Sequence, residues 1–143
     1  MVKIESLQEK IDKTEHWKEM FKGMIQEDSY EVKLINGEAT GLIIEFHGKH
    51  NAFCVKFGVV SAVRMLDEGI VQADLYSENE VKKYKNEKFK NVIYEVAAGR
   101  FKEEIKNIAD GYLDVLGVKH YVIITMNYNI DIISEWEPEI EIL

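Results

Sequence analysis

Apolar residues near the start of the chain are placed at helical spacing. Leu7 and Ile11 lie four positions apart, and similar spacing continues through residues 17–25. Polar residues fill the gaps, as on the two faces of an amphipathic helix. The pattern predicts one helix over residues 3–26, or two short helices broken near Lys13.

After residue 30 the pattern changes to the alternation typical of β-strands. Residues 32–34, 40–46 and 53–66 are rich in β-branched and aromatic side chains. Asn36-Gly37 is a two-residue turn signal, and a polar turn follows at 47–51. These segments predict an antiparallel meander.

Further strands are predicted over residues 70–76 and 92–96, and a short helix over 99–109. Residues 120–125 and 130–134 predict a hairpin. The polar stretch 77–91 indicates an exposed loop with room for a helical turn.

Pro138 cannot donate to a β-ladder, so the tail after it is an edge strand at best. Together the elements predict a single α+β domain over residues 1–143. Its N-terminal helix packs on a mostly antiparallel sheet.

Composition agrees with one folded domain. The chain has 143 residues, of which 46% are hydrophobic and 31% charged, which excludes a disordered chain. Eighteen basic residues against 26 acidic ones give a net charge of −8. A general phosphate-backbone binder is expected to be basic, so nucleic acid is a poor ligand and a basic partner a better one.

The sequence predicts a cytoplasmic protein with an inert thiol. Cys54 is the single cysteine, so no intramolecular disulfide forms, and its apolar neighbours indicate burial. The N-terminus has no apolar signal-peptide core, and no apolar run approaches the length of a membrane span.

Catalytic and metal-binding patterns are weak. No serine has the G-x-S-x-G context and no phosphate-binding loop occurs, so no catalytic residues are predicted. His47 and His50 are a loose pair, with Cys54 four positions further on. A structural zinc site needs four ligands, so a polar loop is favoured and neither metal nor cofactor is expected.

Two acidic runs are more informative. Residues 65–80 and 126–143 each contain five acids and no lysine or arginine. Trp136 lies in the second run, where an aromatic side chain among carboxylates is typical of an interface anchor. The alternatives are solvated faces and an acidic docking surface. The candidate docking residues are Asp67, Glu68, Asp74, Tyr128, Asp131, Glu135, Trp136, Glu137 and Glu139.

A basic cluster interleaved with Tyr84 and Phe89 is the one pattern that favours single-stranded nucleic acid. The acidic balance of the chain favours a solvated lysine-rich loop instead. The basic cluster consists of Lys82, Lys83, Lys85, Lys88 and Lys90.

Segments 53–69 and 120–142 carry a family resemblance. The resemblance rests on four short motifs. In chain order these are Arg64-Met65-Leu66-Asp67-Glu68-Gly69, Tyr94-Glu95-Val96, Gly99-Arg100-Phe101 and the I-D-I-I-S strand. Over about half of its length, the chain resembles immunity proteins of bacterial polymorphic and contact-dependent toxin systems. The immunity partners of WapA-type toxins are of similar length and composition.

The resemblance implies a non-enzymatic cytoplasmic protein that blocks the active site of one toxin domain. Many such toxins are nucleases or transfer-RNA-cleaving enzymes with basic clefts. The expected partner is therefore a basic C-terminal toxin domain. Direct nucleic-acid or membrane binding is not expected, and the protein is expected to be a monomer or weak homodimer.

Two other functions remain open. One is a small-molecule-binding or enzymatic α+β domain with a pocket around His47, His50 and His120. The other is an assembly module, whose tail after Ser134 adds to a partner's sheet.

Overall fold

The computed structural model describes residues 6–67 and 75–143. Within them, nine strands form two antiparallel sheets. The strands are β1 (His16–Glu19), β2 (Glu31–Gly37), β3 (Gly41–His47), β4 (Ala52–Gly58), β5 (Ala62–Asp67), β6 (Ile93–Ala97), β7 (Lys119–Ile124), β8 (Tyr128–Ser134) and β9 (Glu139–Ile142). The helices are α1 (Leu7–Thr14), α2 (Glu78–Asn86), α3 (Arg100–Ile108) and a short 3-10 helix, Tyr112–Val115.

The main core lies between the two sheets. The five-stranded sheet has the order β1-β6-β7-β8-β5, and the four-stranded sheet β2-β3-β4-β9. Side chains alternate along β8, so Ile130 and Ile132 pack into this core with Phe46 and Val55 of the other sheet. The predicted α+β class is confirmed, with two sheets where one was expected.

The helices cover the opposite face of the five-stranded sheet. Tyr84 of α2 packs with Trp17, Tyr94 and Val122 of that sheet. Phe101 of α3 begins a second cluster, which includes Leu113, Val118 and Ile133. The five-stranded sheet is therefore buried on both faces, and its outer-face residues are enclosed by helices.

Helix α2 also protects the open edge of β1. Glu80 Oε2 accepts a hydrogen bond from the Trp17 backbone N–H at 2.7 Å. The Tyr84 hydroxyl donates to the Trp17 carbonyl at 3.2 Å. These two side chains occupy positions that a neighbouring strand would otherwise take, which protects the edge from pairing with another chain.

The N-terminal helix prediction is wrong beyond residue 14. Helix α1 ends at Thr14, and residues 16–19 form β1, which pairs with β6. Apolar spacing over a short segment suits a helix or a buried strand, and this long-range pairing selects the strand. The exposed-loop prediction for 77–91 is also wrong, because α2 begins there with Ser77 as its N-cap.

Several other predictions are confirmed. The hairpin of β7 and β8, the helix α3 and the strand β6 lie where expected. The tail forms the edge strand β9 and pairs with β4, so it is already part of this chain's own sheet. The turn predicted at Asn36-Gly37 lies slightly later, at residues 38–40, because Asn36 pairs with Leu42 and Gly37 with Gly41. Of the strand predicted over 70–76, residues 70–74 lie outside the described residues.

Cys54 is buried, as predicted. It lies between Glu45 of β3 and Glu141 of β9 in the sheet register. Burial first, and then the charge of Glu141, raise the pKa of the thiol, which disfavours the reactive thiolate. In the described part of the chain, no helix has the length and apolar character needed to cross a membrane.

Candidate functional site

An exposed apolar groove lies beside α3, and we call it the Trp136 groove. Helix α3 and the 3-10 helix form one wall, and the β4–β5 and β8–β9 loops form the other. Its volume is about 450 Å³. The side chains that define it are Val59, Ile105, Ile108, Tyr112, Leu116 and Trp136.

Trp136 is held in place through its backbone. The Trp136 N–H donates to Ser134 Oγ at 3.1 Å, and that hydroxyl donates back to the Trp136 carbonyl at 3.4 Å. The indole Cδ1 lies 3.8 Å from where a Cβ on Gly58 would stand. With 57% of its surface exposed, the side chain is anchored at its base and open to solvent above.

Other large apolar side chains are exposed along the same wall. Ile108 and Tyr112 are both mostly exposed, as is Val59 across the groove. Helix α3 buries Phe101 in the sheet, whereas Ile108 at its end has no such cover. A contiguous exposed patch of this kind marks an interaction site more often than scattered surface residues do.

The rim of the groove carries charged pairs and one acidic lining residue. Glu137 accepts from Lys119 Nζ at 2.7 Å, and this bond lowers the pKa of Glu137. Asp114 lies 3.1 Å from Lys106 Nζ. Glu135 lines the groove itself and is exposed. The paired charges offset one another, so Glu135 is the carboxylate best placed to meet a partner's cation.

The structure brings together three of the predicted docking residues. Glu135, Trp136 and Glu137 follow one another in the β8–β9 loop and are all exposed. Glu139 is also exposed, in β9 on the four-stranded sheet, opposite Lys56. Of these residues, Glu135 and Trp136 line the groove.

Two other predicted residues lie at the far end of β8. Tyr128 is half-buried against the core and pairs in register with the exposed Asp67. Tyr128 and Ser134 bound a seven-residue strand, so this end lies roughly 20 Å from Trp136. Glu68 and Asp74 lie outside the described residues. Tyr128 and Trp136 therefore do not form one compact anchor.

Asp131 is wrongly placed on the docking surface by sequence reasoning, because its side chain is fully buried. Its Oδ2 accepts from Arg64 Nη2 at 2.8 Å and from the Tyr76 hydroxyl at 2.6 Å. Its Oδ1 lies 2.8 Å from His120 Nε2. These partners use both oxygens of the carboxylate. Because side chains alternate between the two faces along β8, Asp131 faces the helices, whereas its neighbours Ile130 and Ile132 face the core between the sheets.

The Asp131–His120 pair resembles a catalytic dyad in its geometry alone. Both side chains are buried, with 0% and 1% exposed, so a substrate has no access to them in this structure. His47 and His50 are exposed at the β3–β4 turn of the other sheet, and His47 bonds to Glu45 at 3.0 Å. The pocket predicted around the three histidines is therefore not formed.

No group of three or more potential metal ligands occurs among residues 6–67 and 75–143. The lysines of the basic cluster project into solvent, whereas Tyr84 is buried and Phe89 packs against the same core. The aromatic rings needed for base stacking therefore face inward, which removes the argument for single-stranded nucleic acid.

Glu15 is a second buried acid, only 1% exposed. Its Oε2 accepts from Trp17 Nε1 at 3.0 Å and from the Ser77 N–H, which ties α1 and β1 to the start of α2. Its Oε1 finds no partner in the described part of the chain. Burial raises the pKa of the carboxyl above its ordinary 4.5, although both hydrogen bonds oppose the rise.

We expect Glu15→Gln to change how stability depends on pH. A raised folded-state pKa means that ionised Glu15 is disfavoured in the fold, so the contribution of this carboxyl to stability falls as pH rises above about 4.5. Glutamine keeps an acceptor for both N–H groups and has no charge. Urea unfolding of both proteins from pH 4 to 8 gives the difference, which we expect to favour glutamine increasingly at higher pH. A constant difference contradicts this.

Sequence reasoning missed part of the site. No element was predicted over residues 110–118, yet Tyr112 and Leu116 there line the groove. The apolar Ile105 and Ile108 were correctly placed on a helix, but their spacing does not tell which of them is covered. The bond of Glu15 with Ser77, and those of Arg64 and Tyr76 with Asp131, left no signal, because each joins residues that lie far apart in the chain.

Comparisons of this chain with protein-family models, with curated proteins and with solved structures find no significant match.

Proposed function

We propose that this protein is a non-enzymatic immunity protein, which binds a cognate toxin domain in the cytoplasm and neutralises it through the Trp136 groove. The observation that carries the proposal is the position of Trp136, which is 57% exposed beside other exposed apolar side chains. An accessible aromatic side chain in an apolar surface, with charged residues around it, is typical of an interface hot spot.

Charge supports a basic partner. The chain has a net charge of −8, and the charged residue that lines the groove is Glu135. Opposite fields speed association, which matters for an inhibitor that must reach its toxin before damage occurs. A nuclease or transfer-RNA-cleaving domain fits best, because its substrate-binding cleft is basic, as an acidic inhibitor requires.

Trp136→Ala is expected to weaken toxin binding by about 2 kcal/mol, or roughly 30-fold in Kd. The indole is the largest side chain in the groove, and its removal leaves the partner's apolar contact unfilled. Met126→Ala is a matched control, because Met126 is also 57% exposed but lies in the β7–β8 turn. Titration calorimetry measures both; a loss below about 0.5 kcal/mol for Trp136→Ala excludes it as the anchor.

The partner is obtained by affinity capture from the native cell, with wild-type protein and the Trp136→Ala variant as parallel baits. The proposal requires one stoichiometric protein that the variant loses and the Met126→Ala control retains. Its purified basic domain must degrade DNA or RNA, and an equimolar amount of this protein must stop that reaction. A captured protein whose activity is unaffected contradicts the proposal.

Salt provides a separate test of the electrostatic part. Raising ionic strength from about 0.05 to 0.5 M shortens the range of charge attraction severalfold, so the association rate is expected to fall. The dissociation rate is expected to change less, because buried contacts govern it. A salt-independent association rate argues against docking through the acidic surface.

The alternative function is binding of a small molecule in the same groove. Its volume of about 450 Å³ falls within the range of small-molecule sites. A thermal-shift screen of metabolites tests this alternative, since a ligand at 100 times its Kd stabilises the fold by about 2.7 kcal/mol. A hit that is lost in Trp136→Ala places the ligand in the groove.

A further inference from the structure

A second hollow adjoins the Trp136 groove. It lies between the β2–β3 hairpin and the β4–β5 loop and has a volume of about 380 Å³. Val59 and Val60 line both hollows. The two hollows therefore meet at these residues of the β4–β5 loop, and we call them together the trough. The wall of the second hollow away from Val59 and Val60 is formed by Asn36, Gly37, Glu38 and Gly41.

Close backbone packing fixes the two hollows relative to each other. A Cβ on Gly41 would stand 2.4 Å from the carbonyl carbon of Gly58, closer than real Cβ contacts approach. Gly41 also has a φ of +65°, in the left-handed region that favours glycine. The β2–β3 hairpin therefore packs closely against Gly58, where β4 ends and the β4–β5 loop begins.

The charges along the trough have one sign. Among the described residues that line it, Glu135 is the charged one in the first hollow and Glu38 the charged one in the second. Both are exposed, and Val59 between the hollows is 68% exposed. The apolar Trp136 groove continues to Val59 and Val60, and one carboxylate stands in each hollow. Such a surface complements a segment that carries both apolar and cationic side chains.

We infer that the trough accepts one continuous cationic segment of the toxin domain. Apolar side chains of that segment pack in the Trp136 groove and on Val59 and Val60, and its lysines or arginines meet Glu135 and Glu38. This inference rests on the proposed function, because it specifies which part of the partner docks and along which path.

Photo-crosslinking in the native cell tests the path. The probe is p-benzoylphenylalanine, placed at Tyr112 in the first hollow, at Asn36 in the second, and at Met126 as the control. We expect the first two positions to capture the same protein, through sites within one lysine- and arginine-rich segment. The control position is expected not to capture it.

The outcomes separate the two proposals. Capture from Tyr112 alone, or capture of separate segments by the two positions, overturns the single-segment inference and leaves the Trp136 groove as a docking surface. No capture from either position, with all variants folded as judged by circular dichroism, overturns both proposals.

Charge reversal tests the chemistry of the segment. Glu135→Lys and Glu38→Lys are each expected to raise the Kd of the captured toxin domain about tenfold, since each replaces an attraction by a repulsion. Glu31→Lys is the matched control for Glu38→Lys. Glu31 is exposed at the start of β2, roughly 20 Å from the hairpin turn that holds Glu38, and its reversal is expected to change the Kd by less than twofold. Equal effects of Glu38→Lys and Glu31→Lys show that only overall charge matters and overturn the inference.

Discussion

Asp131→Ala is expected to lower the free energy of unfolding by about 3–5 kcal/mol, a large share of the stability of a domain this size. The carboxylate is fully buried and bonds to Arg64, Tyr76 and His120. Removing it leaves the Arg64 guanidinium, whose side chain is 19% exposed, without its main counter-charge. The Arg64 pKa is raised by the charge of Asp131, against the opposing effect of burial.

Denaturant unfolding at pH 7 measures this loss. Asp114→Ala is the matched control, because Asp114 pairs with Lys106 at the surface and its side chain is 60% exposed. We expect the control to lose less than about 1 kcal/mol. If Asp131→Ala fails to fold, the double variant Arg64→Met, Asp131→Leu distinguishes the causes. It is expected to recover much of the stability, because no unpaired charge remains. A loss below about 1 kcal/mol for Asp131→Ala contradicts the role of the network.

Trp17→Ala is expected to cost about 3–5 kcal/mol of unfolding free energy. The indole is 5% exposed and lies 5.6 Å, centroid to centroid, from Tyr76 and 5.5 Å from Tyr94. It stacks on Tyr84 at 6.1 Å, so alanine leaves a cavity among three aromatic rings. Its Nε1 also donates to Glu15, and truncation removes one of the bonds that hold the buried carboxylate.

Trp136→Ala serves as the control for this prediction. It is the same substitution in the same protein, at a side chain that is 57% exposed. We expect it to change the unfolding free energy by less than about 1 kcal/mol. Thermal and urea unfolding of both variants give the comparison. Equal losses indicate that the two tryptophans are buried to a similar extent in solution, contrary to the structure.

The contrast between the two tryptophans also separates stability from binding. Trp17 supports the helix-covered face of the five-stranded sheet, and Trp136 is expected to contribute to partner binding. The Asp131 network lies beneath α3, since the Arg64 guanidinium packs 4.5 Å from the centroid of the Phe101 ring. Loss of Asp131 is thus expected to disturb the wall of the Trp136 groove as well, whereas loss of Trp136 leaves the network intact.

Local pattern was sufficient for several elements. The alternation in β6, β7 and β8, and the apolar spacing in α3, are each complete within a short segment. Pro138 restricts the tail to an edge position because it has no N–H to donate. The acidic balance of the chain and the position of Trp136 between two glutamates were also evident from the residues alone.

Residue pattern and composition were enough to predict the α+β class, most strands, the burial of Cys54 and an acidic chain with a tryptophan in its second acidic run. Long-range pairing, which no local pattern reveals, makes residues 16–19 a strand, since their partner β6 lies about 80 residues away. Tertiary contacts also determine which acidic side chains are buried and which are exposed. Asp131 and Glu135 lie in one acidic run, yet pairing of β8 with β5 and β7 buries the first and leaves the second in the groove. Burial depends on which elements pack on a face, and that information is not local to the residue.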